Sequence, residues 1–482
     1  MQGRLRLATA SIVWFRIDLR LADQPALAAA AARGGAVLPV YVHSPDEEGE
    51  WRPGGASNWW LHNSLAALND ALRKLGSQLL IRRGPALASL LALAREVDAS
   101  AVFWCRRYEP AIVARDMQLK SSLRAAGLEA TSFNGNLLVE PWEIKNQSGR
   151  PFQVFTPFWK QVLRSTNVAA PSGEPASLSQ PRAWPASLPL AALELLPSIR
   201  WYRQMDELWT PGESGAQRQL ARFSKSALFD YGRERDLPAT AGTSRLSPHL
   251  HFGEISPRQI WHRVAAAAAA QNIAAETWRS WQYIAELGWR EFGHHLLHHF
   301  SRTPLEPLRN EFTQFPWRES PGDLLAWQRG RTGVPLVDAG MRELWSTGWM
   351  HNRVRMVVAS YLVKNLRLPW QNGARWFWDT LVDADLASNT LGWQWSAGCG
   401  ADAAPYFRVF NAVSQGKRFD AQGAYIRRWV PELAALDDSQ IHAPWTAATP
   451  PADYPAPLVD LKVSREAALA AWQQMRAGSG DT

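Results

Sequence analysis

Short apolar runs alternate with longer helical stretches over the first 135 residues of the chain. The runs are rich in Val, Ile, Leu and Phe and predict strands at 11–16, 37–42, 78–82, 101–105 and 129–133. The stretches between them predict helices near 24–32, 57–75, 85–97 and 110–126. Apolar strands separated by helices are typical of a parallel sheet covered on both faces, so the pattern predicts a Rossmann-like α/β domain.

The strand pattern stops further along the chain. Residues 165–196 are rich in Pro, Ser and Ala, which is typical of a long connection. Beyond about residue 215, helical periodicity and aromatic clusters dominate, and a last helix is expected at 464–476. The predicted fold class is α/β plus all-α, with a Rossmann-like parallel-sheet domain over 1–140, an interdomain linker over 141–215 and a large helical domain over 216–482.

Composition excludes several classes of protein. Of 482 residues, 46% are apolar and 20% charged, which is typical of a globular chain. The net charge of +8 permits a polyanionic partner without establishing one. Two cysteines, Cys105 and Cys399, exclude a disulfide framework. We find no export signal and no apolar run of membrane-spanning length, so we expect a cytoplasmic protein without a membrane span. Most of the 26 tryptophans are expected to pack in the core.

The usual nucleotide and hydrolase motifs are missing from the sequence. No G-x-G-x-x-G follows the first strand, and neither a P-loop nor G-x-S-x-G is present. The segment 243–247 offers three hydroxyls and a run of amides, which suits either a phosphate cradle or an ordinary helix N-cap. Tyr231, Arg233 and Arg235 lie upstream as further donors.

Polar residues recur on predicted helix faces in the second half. Glu286, Trp289 and Arg290 share a face that suits a flat heterocycle, or else Glu286 and Arg290 form an i,i+4 salt bridge. Asp383 and Asp385 could bind a ribityl chain, a flavin ring, an arginine or a metal. The histidines at 294, 295, 298 and 299 lack a further ligand type nearby, so we predict no metal site.

Taken in order, the motifs resemble the photolyase/cryptochrome family over almost the whole chain. The matching segments are 13–20, 243–247, 289–292, 332–333, 338–342, 348–353 and 402–408. The resemblance implies FAD in the helical domain, which explains why the α/β domain lacks a dinucleotide motif. It implies FAD contacts from Tyr231, Arg235, Thr243, Ser244, Arg245, Leu246, Ser247, Arg290, Arg355, Asp383, Ala384, Asp385 and Asn389.

Within that set the resemblance implies separate roles. Residues 231, 235 and 243–247 would hold the phosphates, with Arg290 beside them. Asp383 and Asp385 would meet the ribityl chain and flavin ring, with Arg355 paired to Asp383. Asn389 would face flavin N5, where plant cryptochromes carry an acid. An amide cannot donate a proton as an acid does, which favours the anionic reduced flavin used in repair.

The resemblance also implies a substrate pocket for a cyclobutane pyrimidine dimer flipped out of UV-damaged DNA. Its implied substrate contacts are Glu286, Trp289, Asn352, Arg353, Met356, Trp395 and Gln415. The implied chemistry is light-driven electron transfer from excited reduced FAD to the dimer, with Asn389 and Glu286 as catalytic residues. The (6-4) branch carries a histidine where this chain has Asn352, next to His351, which disfavours (6-4) repair.

Two further features follow from the resemblance. Trp393, Trp370 and Trp317 match an electron relay from flavin to the surface. Glu109 matches a contact to a second, light-harvesting chromophore, with 5,10-methenyltetrahydrofolate favoured over 8-hydroxy-5-deazaflavin. The alternatives are a cryptochrome-type blue-light photoreceptor without repair activity, or a basic flavoprotein that binds nucleic acid without photochemistry. We expect a monomer, because nothing in the sequence requires an oligomer.

Overall fold

The structure is a computed structural model that describes residues 10–402 and 407–478. Five parallel strands form one sheet in the order β3-β2-β1-β4-β5. The strands are β1 (Ala10–Phe15), β2 (Val37–His43), β3 (Leu80–Arg83), β4 (Ala99–Cys105) and β5 (Glu129–Phe133). The helices between them are α1 (Pro25–Ala32), α2 (Gly55–Lys74), α3 (Ala86–Glu96) and α4 (Pro110–Ala125).

The Rossmann-like sheet confirms the predicted fold class. Every residue of β1 is buried, because apolar side chains cover both of its faces. The third strand begins at Leu80, two residues later than predicted, while the fifth has its predicted bounds.

The rest of the chain is helical. Its first helices are α5 (Phe155–Ser165), α6 (Arg203–Leu208), α7 (Glu213–Lys225), α8 (Tyr231–Glu234), α9 (Ser247–His251), α10 (Pro257–Ala269), α11 (Ala275–Arg279) and α12 (Gln282–His299). They are followed by α13 (Pro321–Gln328), α14 (Pro335–Thr347), α15 (Asn352–Ser360), α16 (Trp370–Thr380), α17 (Leu386–Ala397), α18 (Ala412–Phe419), α19 (Ala424–Trp429) and α20 (Leu461–Gly478). In the described parts of the chain, no helix is both long and apolar enough to cross a membrane.

The stretch assigned to the linker, 141–215, is not uniformly irregular. It contains α5 and α6, and α7 begins inside it. Phe158 and Trp159 of α5 are buried in a core shared with α7, α10 and α12. The linker segment is therefore packed into the helical part of the molecule along α5.

Four helices meet where the site residues lie. Helices α12, α15 and α16 each pack against α17. The side chain of Asp385 caps α17 by accepting from Ser388 N at 2.7 Å, and His351 caps α15 by accepting from Arg353 N at 3.2 Å. These caps fix where both helices begin, because a helix start leaves backbone N–H groups without intrahelical partners.

Candidate functional site

The loop 243–247 leads directly into α9, and Arg245 takes a left-handed conformation there, with φ 51°. Its guanidinium lies 4.7 Å from the centre of the Trp349 ring, and Trp349 Nε1 donates to Ser247 Oγ at 3.4 Å. Gln219 Nε2 donates to the carbonyl of Ser244 at 2.6 Å. These contacts hold a hydroxyl-rich loop with an arginine in its middle, a donor set that suits phosphate oxygens.

Arg355 and Asp383 form a largely buried ion pair. Arg355 Nη2 lies 2.8 Å from Asp383 Oδ2, and Arg355 Nε donates to the Met350 carbonyl at 2.7 Å. The Asp383 side chain is only 3% exposed, yet its Oδ1 has no partner within the described residues. An acceptor buried without a donor costs free energy, so this oxygen is well placed to accept from a bound ligand.

Asp385 lies beside Arg290 and His294. His294 Nε2 is 3.5 Å from Asp385 Oδ2, and both residues line a small cavity together with Arg290 and Glu109. Burial would raise the pKa of Asp385, but the neighbouring His294 and Arg290 outweigh burial and lower it to about 2. The carboxylate is therefore charged at neutral pH and available as an acceptor.

Asn389 lies one helical turn into α17 and is half-buried. Its Nδ2 donates to the Ala374 carbonyl of α16 at 3.1 Å, which holds the amide in place between the two helices. Ala384, buried between the two aspartates, belongs to the turn that leads into α17.

The structure does not form the i,i+4 salt bridge between Glu286 and Arg290. Glu286 instead pairs with Arg235 Nη1 and accepts from Gln282 Nε2 at 2.8 Å. Arg290 Nη1 donates to the Asn136 carbonyl at 2.6 Å. Arg235, which the resemblance assigned to the FAD phosphates, thus contacts a residue of the predicted substrate pocket, and it also lies 5.5 Å from the Tyr231 ring.

Trp289 has one face covered. Its ring stacks on Phe155 at 3.8 Å between centroids and 9° between planes. The sequence analysis gave Phe155 no role, because it lies 134 positions earlier in the chain, in the predicted linker. Trp349, which lies between Arg245 and Arg355, was likewise missed.

The other predicted substrate residues fall on neighbouring helices. Asn352, Arg353 and Met356 occupy the first turns of α15, and Trp395 lies on α17. Arg353 reaches α18, where its guanidinium lies 4.5 Å from the Phe419 ring. Gln415 is on that same helix.

The three relay tryptophans share one hydrophobic cluster. Trp393 and Trp370 are each 2% exposed, and the half-buried Trp317 packs against the cluster from outside. Trp393 packs on Gly373 of α16, where a Cβ would overlap the indole ring. Burial therefore decreases from Trp393 and Trp370 to Trp317, and the relay itself stays a prediction.

Glu109 lines a second cavity, of about 740 Å³ counting its open mouth, between the sheet and α16. Arg107 Nη2 contacts Glu109 at 2.8 Å. Burial would raise the pKa of Glu109, but Arg107 outweighs burial and lowers it to about 2. Trp51 and Trp378 form part of the wall, with their rings 5.3 Å apart.

The histidine run of α12 makes contacts other than metal ligation. His295 Nδ1 and His299 Nε2 lie 3.0 and 3.1 Å from the Pro141 carbonyl. The pKa of His295 is lowered to about 4, mainly by burial and also by the neighbouring His299. Over the ranges the structure describes, no group of three or more His, Cys, Asp or Glu side chains could hold a metal ion.

Comparison with known proteins identifies the class. Residues 11–176 match the family model described as DNA photolyase, and residues 283–474 match the one described as FAD binding domain of DNA photolyase. A deoxyribodipyrimidine photo-lyase of Agrobacterium fabrum is 46% identical over 96% of this chain and 98% of its own length. Cryptochrome-1 of Arabidopsis thaliana is 40% identical over 97% of this chain and 71% of its own.

Solved structures give the same result. A bacterial class III photolyase from Agrobacterium tumefaciens superposes with a TM-score of 0.93 at 45% identity, covering 99% of each chain. A cryptochrome of Synechocystis superposes with a TM-score of 0.87 at 30% identity, covering 96% of this chain and 99% of its own. The chain therefore belongs to the photolyase/cryptochrome family and carries that family's FAD-binding domain.

The residues present fit FAD. The loop 243–247 supplies hydroxyls and a guanidinium for a pyrophosphate, and the free Asp383 Oδ1 can accept from a ring N–H or a ribityl hydroxyl. The Arg355 charge balances Asp383 beside it. The individual roles of these residues toward FAD stay predictions.

Proposed function

We propose that this protein repairs cyclobutane pyrimidine dimers in UV-damaged DNA by light-driven electron transfer. The observation that carries the proposal is that three helices each bear both cofactor and substrate residues. Arg355 follows Asn352 by three positions on α15, Trp289 and Arg290 adjoin on α12, and Asn389 and Trp395 share α17. Cofactor and dimer would thus be held by the same rigid elements, as close positioning requires.

Each side chain has a role that its chemistry permits. FAD, when bound and reduced, supplies the electron on excitation. Arg355 and Asp383 bind the cofactor, and Asn389, an amide, has no acidic proton to give it. Glu286 accepts hydrogen bonds from the base edges, while Trp289 and Trp395 stack on the dimer, at about 1–3 kcal/mol per base.

His351 is an unsuitable proton donor for (6-4) repair in this structure. It is 2% exposed, and burial, above all, lowers its pKa to about 4, so the ring is neutral at pH 7. Asn352, its neighbour, carries no acidic proton either. Both features favour cyclobutane dimers as the substrate.

A repair assay tests the proposed function. UV-irradiated oligothymidylate is mixed with reduced protein, and the recovery of thymine absorbance is followed in blue light and in darkness. Recovery is expected only in the light, and Glu286→Ala should slow it, whereas Glu276→Ala, at an exposed glutamate of α11, should not. If FAD-loaded protein shows no recovery of thymine absorbance in the light, the proposal of dimer repair is wrong and the blue-light receptor alternative replaces it.

For the antenna chromophore we propose the cavity lined by Glu109, with 5,10-methenyltetrahydrofolate as its occupant and 8-hydroxy-5-deazaflavin as the alternative. The cavity places Trp51 and Trp378, which offer aromatic surface to a planar ring, in the same lining as the Glu109 carboxylate. Mass spectrometry of the chromophore extracted from purified protein distinguishes the two. Glu109→Gln should reduce antenna content more than FAD content, because Glu109 also lines the cavity that contains Asp385.

The protein is proposed to act as a monomer. Every residue that the proposal uses belongs to one chain, and none requires a second copy to complete the pocket. Light scattering of the FAD-loaded protein tests this, and a stable dimer would contradict it.

A further inference from the structure

Four charged side chains form a continuous chain between two helices of the predicted substrate pocket. Arg235 pairs with Glu286 through Nη1, and its Nε lies 3.7 Å from Asp236 Oδ1. Asp236 Oδ2 lies 2.8 Å from Arg353 Nη2. The order is therefore Glu286, Arg235, Asp236, Arg353, which connects α12 to α15 through the residues that follow α8.

The two ends of this chain meet different parts of the proposed substrate. Glu286 belongs to the predicted dimer pocket, while Arg353 contacts Phe419 of α18, a helix whose last turn carries the basic residues Lys417 and Arg418, and we infer that the DNA backbone lies along it. The Arg353 side chain is 19% exposed, and its Nη2 holds Asp236. A phosphate that approaches the exposed part of Arg353 therefore acts on the same guanidinium that holds Asp236.

The four side chains are shielded enough from solvent for their charges to interact. The exposed fractions of the side chains are 17% for Arg235, 29% for Glu286, 31% for Asp236 and 19% for Arg353. Charges shielded to this degree are screened less than those of a free surface pair. Asp236 is the carboxylate that contacts both arginines, so its removal divides the chain into two separate parts.

From this geometry we propose that Asp236 is a positioning residue that couples the phosphate contact of Arg353 to the placement of Glu286 against the dimer. A phosphate that binds Arg353 alters the ion pair between Arg353 and Asp236. This in turn alters the contact of Asp236 with Arg235, and through it the ion pair between Arg235 and Glu286. DNA-backbone binding and lesion recognition then reinforce each other. The inference rests on the proposed function, because it takes damaged DNA as the substrate.

A double-mutant cycle repeated in two backgrounds tests the coupling. Dissociation constants for dimer-containing DNA are measured in darkness with FAD-loaded protein, for Arg353→Gln, Glu286→Gln and the pair. In the wild-type background the two effects should deviate from additivity by about threefold to tenfold, as members of one ion-pair network do. In the Asp236→Asn background they should be additive within about twofold, as for independent sites.

Matched variants separate coupling from folding. Asp230→Asn removes an exposed carboxylate from the same short segment, paired with Arg233 at 2.8 Å, and should leave the coupling intact. Asp236→Glu, which keeps the charge, should retain part of the coupling, and Asp236→Ser serves as a second neutral variant if the Asn variant does not fold. On undamaged DNA, which leaves the dimer pocket empty, the cycle should be additive.

The outcomes are distinct. Additive effects in the wild-type background, or a coupling that persists after Asp236 is neutralised, would overturn the inference. If the wild-type protein binds damaged and undamaged DNA equally, the proposed function itself fails. If the protein prefers damaged DNA but the effects of the two substitutions are additive, the coupling is refuted and the proposed function stands.

Discussion

At the scale of single residues, the pair of Arg355 and Asp383 carries the strongest prediction. Asp383→Asn would leave the Arg355 guanidinium without its counter-charge, and the Arg355 side chain is only 23% exposed. Breaking a buried pair by removing one partner costs about 3–5 kcal/mol, and the partial exposure of Arg355 reduces this to about 1–3 kcal/mol here. We expect that loss in the free energy of unfolding of the FAD-free protein, and FAD content below a tenth of wild type by absorbance.

The control for this prediction is a pair of the same type at the surface. Arg375 Nη2 lies 3.3 Å from Glu50 Oε2, and the two side chains are 62% and 60% exposed. Arg375→Ala should change the free energy of unfolding by less than about 1 kcal/mol and leave FAD content unchanged. Normal FAD content in Asp383→Asn would show that this aspartate is not needed to bind the cofactor.

How far the sequence predicts such contacts depends on whether a motif carries them. The resemblance pointed to Arg355 beside Asp383, and the two are in contact. It also implied that Arg235 holds the phosphates, which stays a prediction, but it did not indicate the contact of Arg235 with Glu286, which arises because the turn after α8 directs the guanidinium toward α12. Phe155 left no local signal at all, since its stacking on Trp289 depends on how distant segments pack.

At the scale of helices, the contact of α16 with α17 depends on the absence of a side chain at Gly373. A Cβ there would overlap the Trp393 ring, the first member of the predicted relay. Gly373→Ala should therefore destabilise the protein by about 1–3 kcal/mol, as overpacking of a tight core does. It should also shift Trp393, so we expect slower photoreduction of FAD, measured by absorbance under blue light.

Gly392, one residue before Trp393 on α17, provides the matched control. Apart from its chain neighbours and the backbone of its own helix, no atom of the described residues lies within 4 Å of where its Cβ would be, and its conformation is helical. Gly392→Ala should stabilise α17 by about 0.5–1 kcal/mol and leave photoreduction unchanged. Equal destabilisation by both substitutions would show that Trp393 does not depend on close approach to α16.

Periodicity predicted the elements well where hydrophobic residues repeat regularly and poorly where a helix is short or carries proline. Strands β1, β2 and β4 follow from apolar runs that are largely buried, whereas the edge strands β3 and β5 keep exposed residues. Helix α5 was absorbed into the predicted linker, because Pro157 lies in its first turn and polar, proline-containing segments flank it. Proline is tolerated in a first helical turn, so it did not mark a break.

At the scale of the whole molecule, Glu291 of α12 links the helical part of the chain to the segment that follows β5 of the sheet. Its Oε2 accepts from Leu138 N at 2.9 Å and from Val139 N at 3.2 Å, while its buried Oε1 lies 3.6 Å from Arg290 Nη1 and has no hydrogen-bond partner among the described residues. Burial, which outweighs Arg290 and the two backbone donors, raises the pKa of Glu291 to about 7. The link is therefore a carboxyl group that ionises near neutral pH.

The raised pKa predicts how stability depends on pH. In the native protein Glu291 keeps its proton up to about pH 7, whereas in the unfolded chain a glutamate releases it near pH 4.5. Between these values the native state binds more protons, so this residue's contribution to the free energy of unfolding falls as pH rises. The fall amounts to about 3 kcal/mol and is complete above pH 7.

Glu291→Gln isolates this contribution, because the amide keeps an acceptor for the two backbone donors and cannot ionise. Urea denaturation of the FAD-free protein should show wild type and variant with similar stability near pH 4.5. Wild type should become less stable relative to the variant as pH approaches 8. Glu306→Gln, at a half-exposed glutamate near the end of α12, should show no such trend. A difference between wild type and Glu291→Gln that stays constant from pH 4.5 to 8 would mean that the carboxylate is already ionised in the folded protein and that the two domains meet across a charged contact.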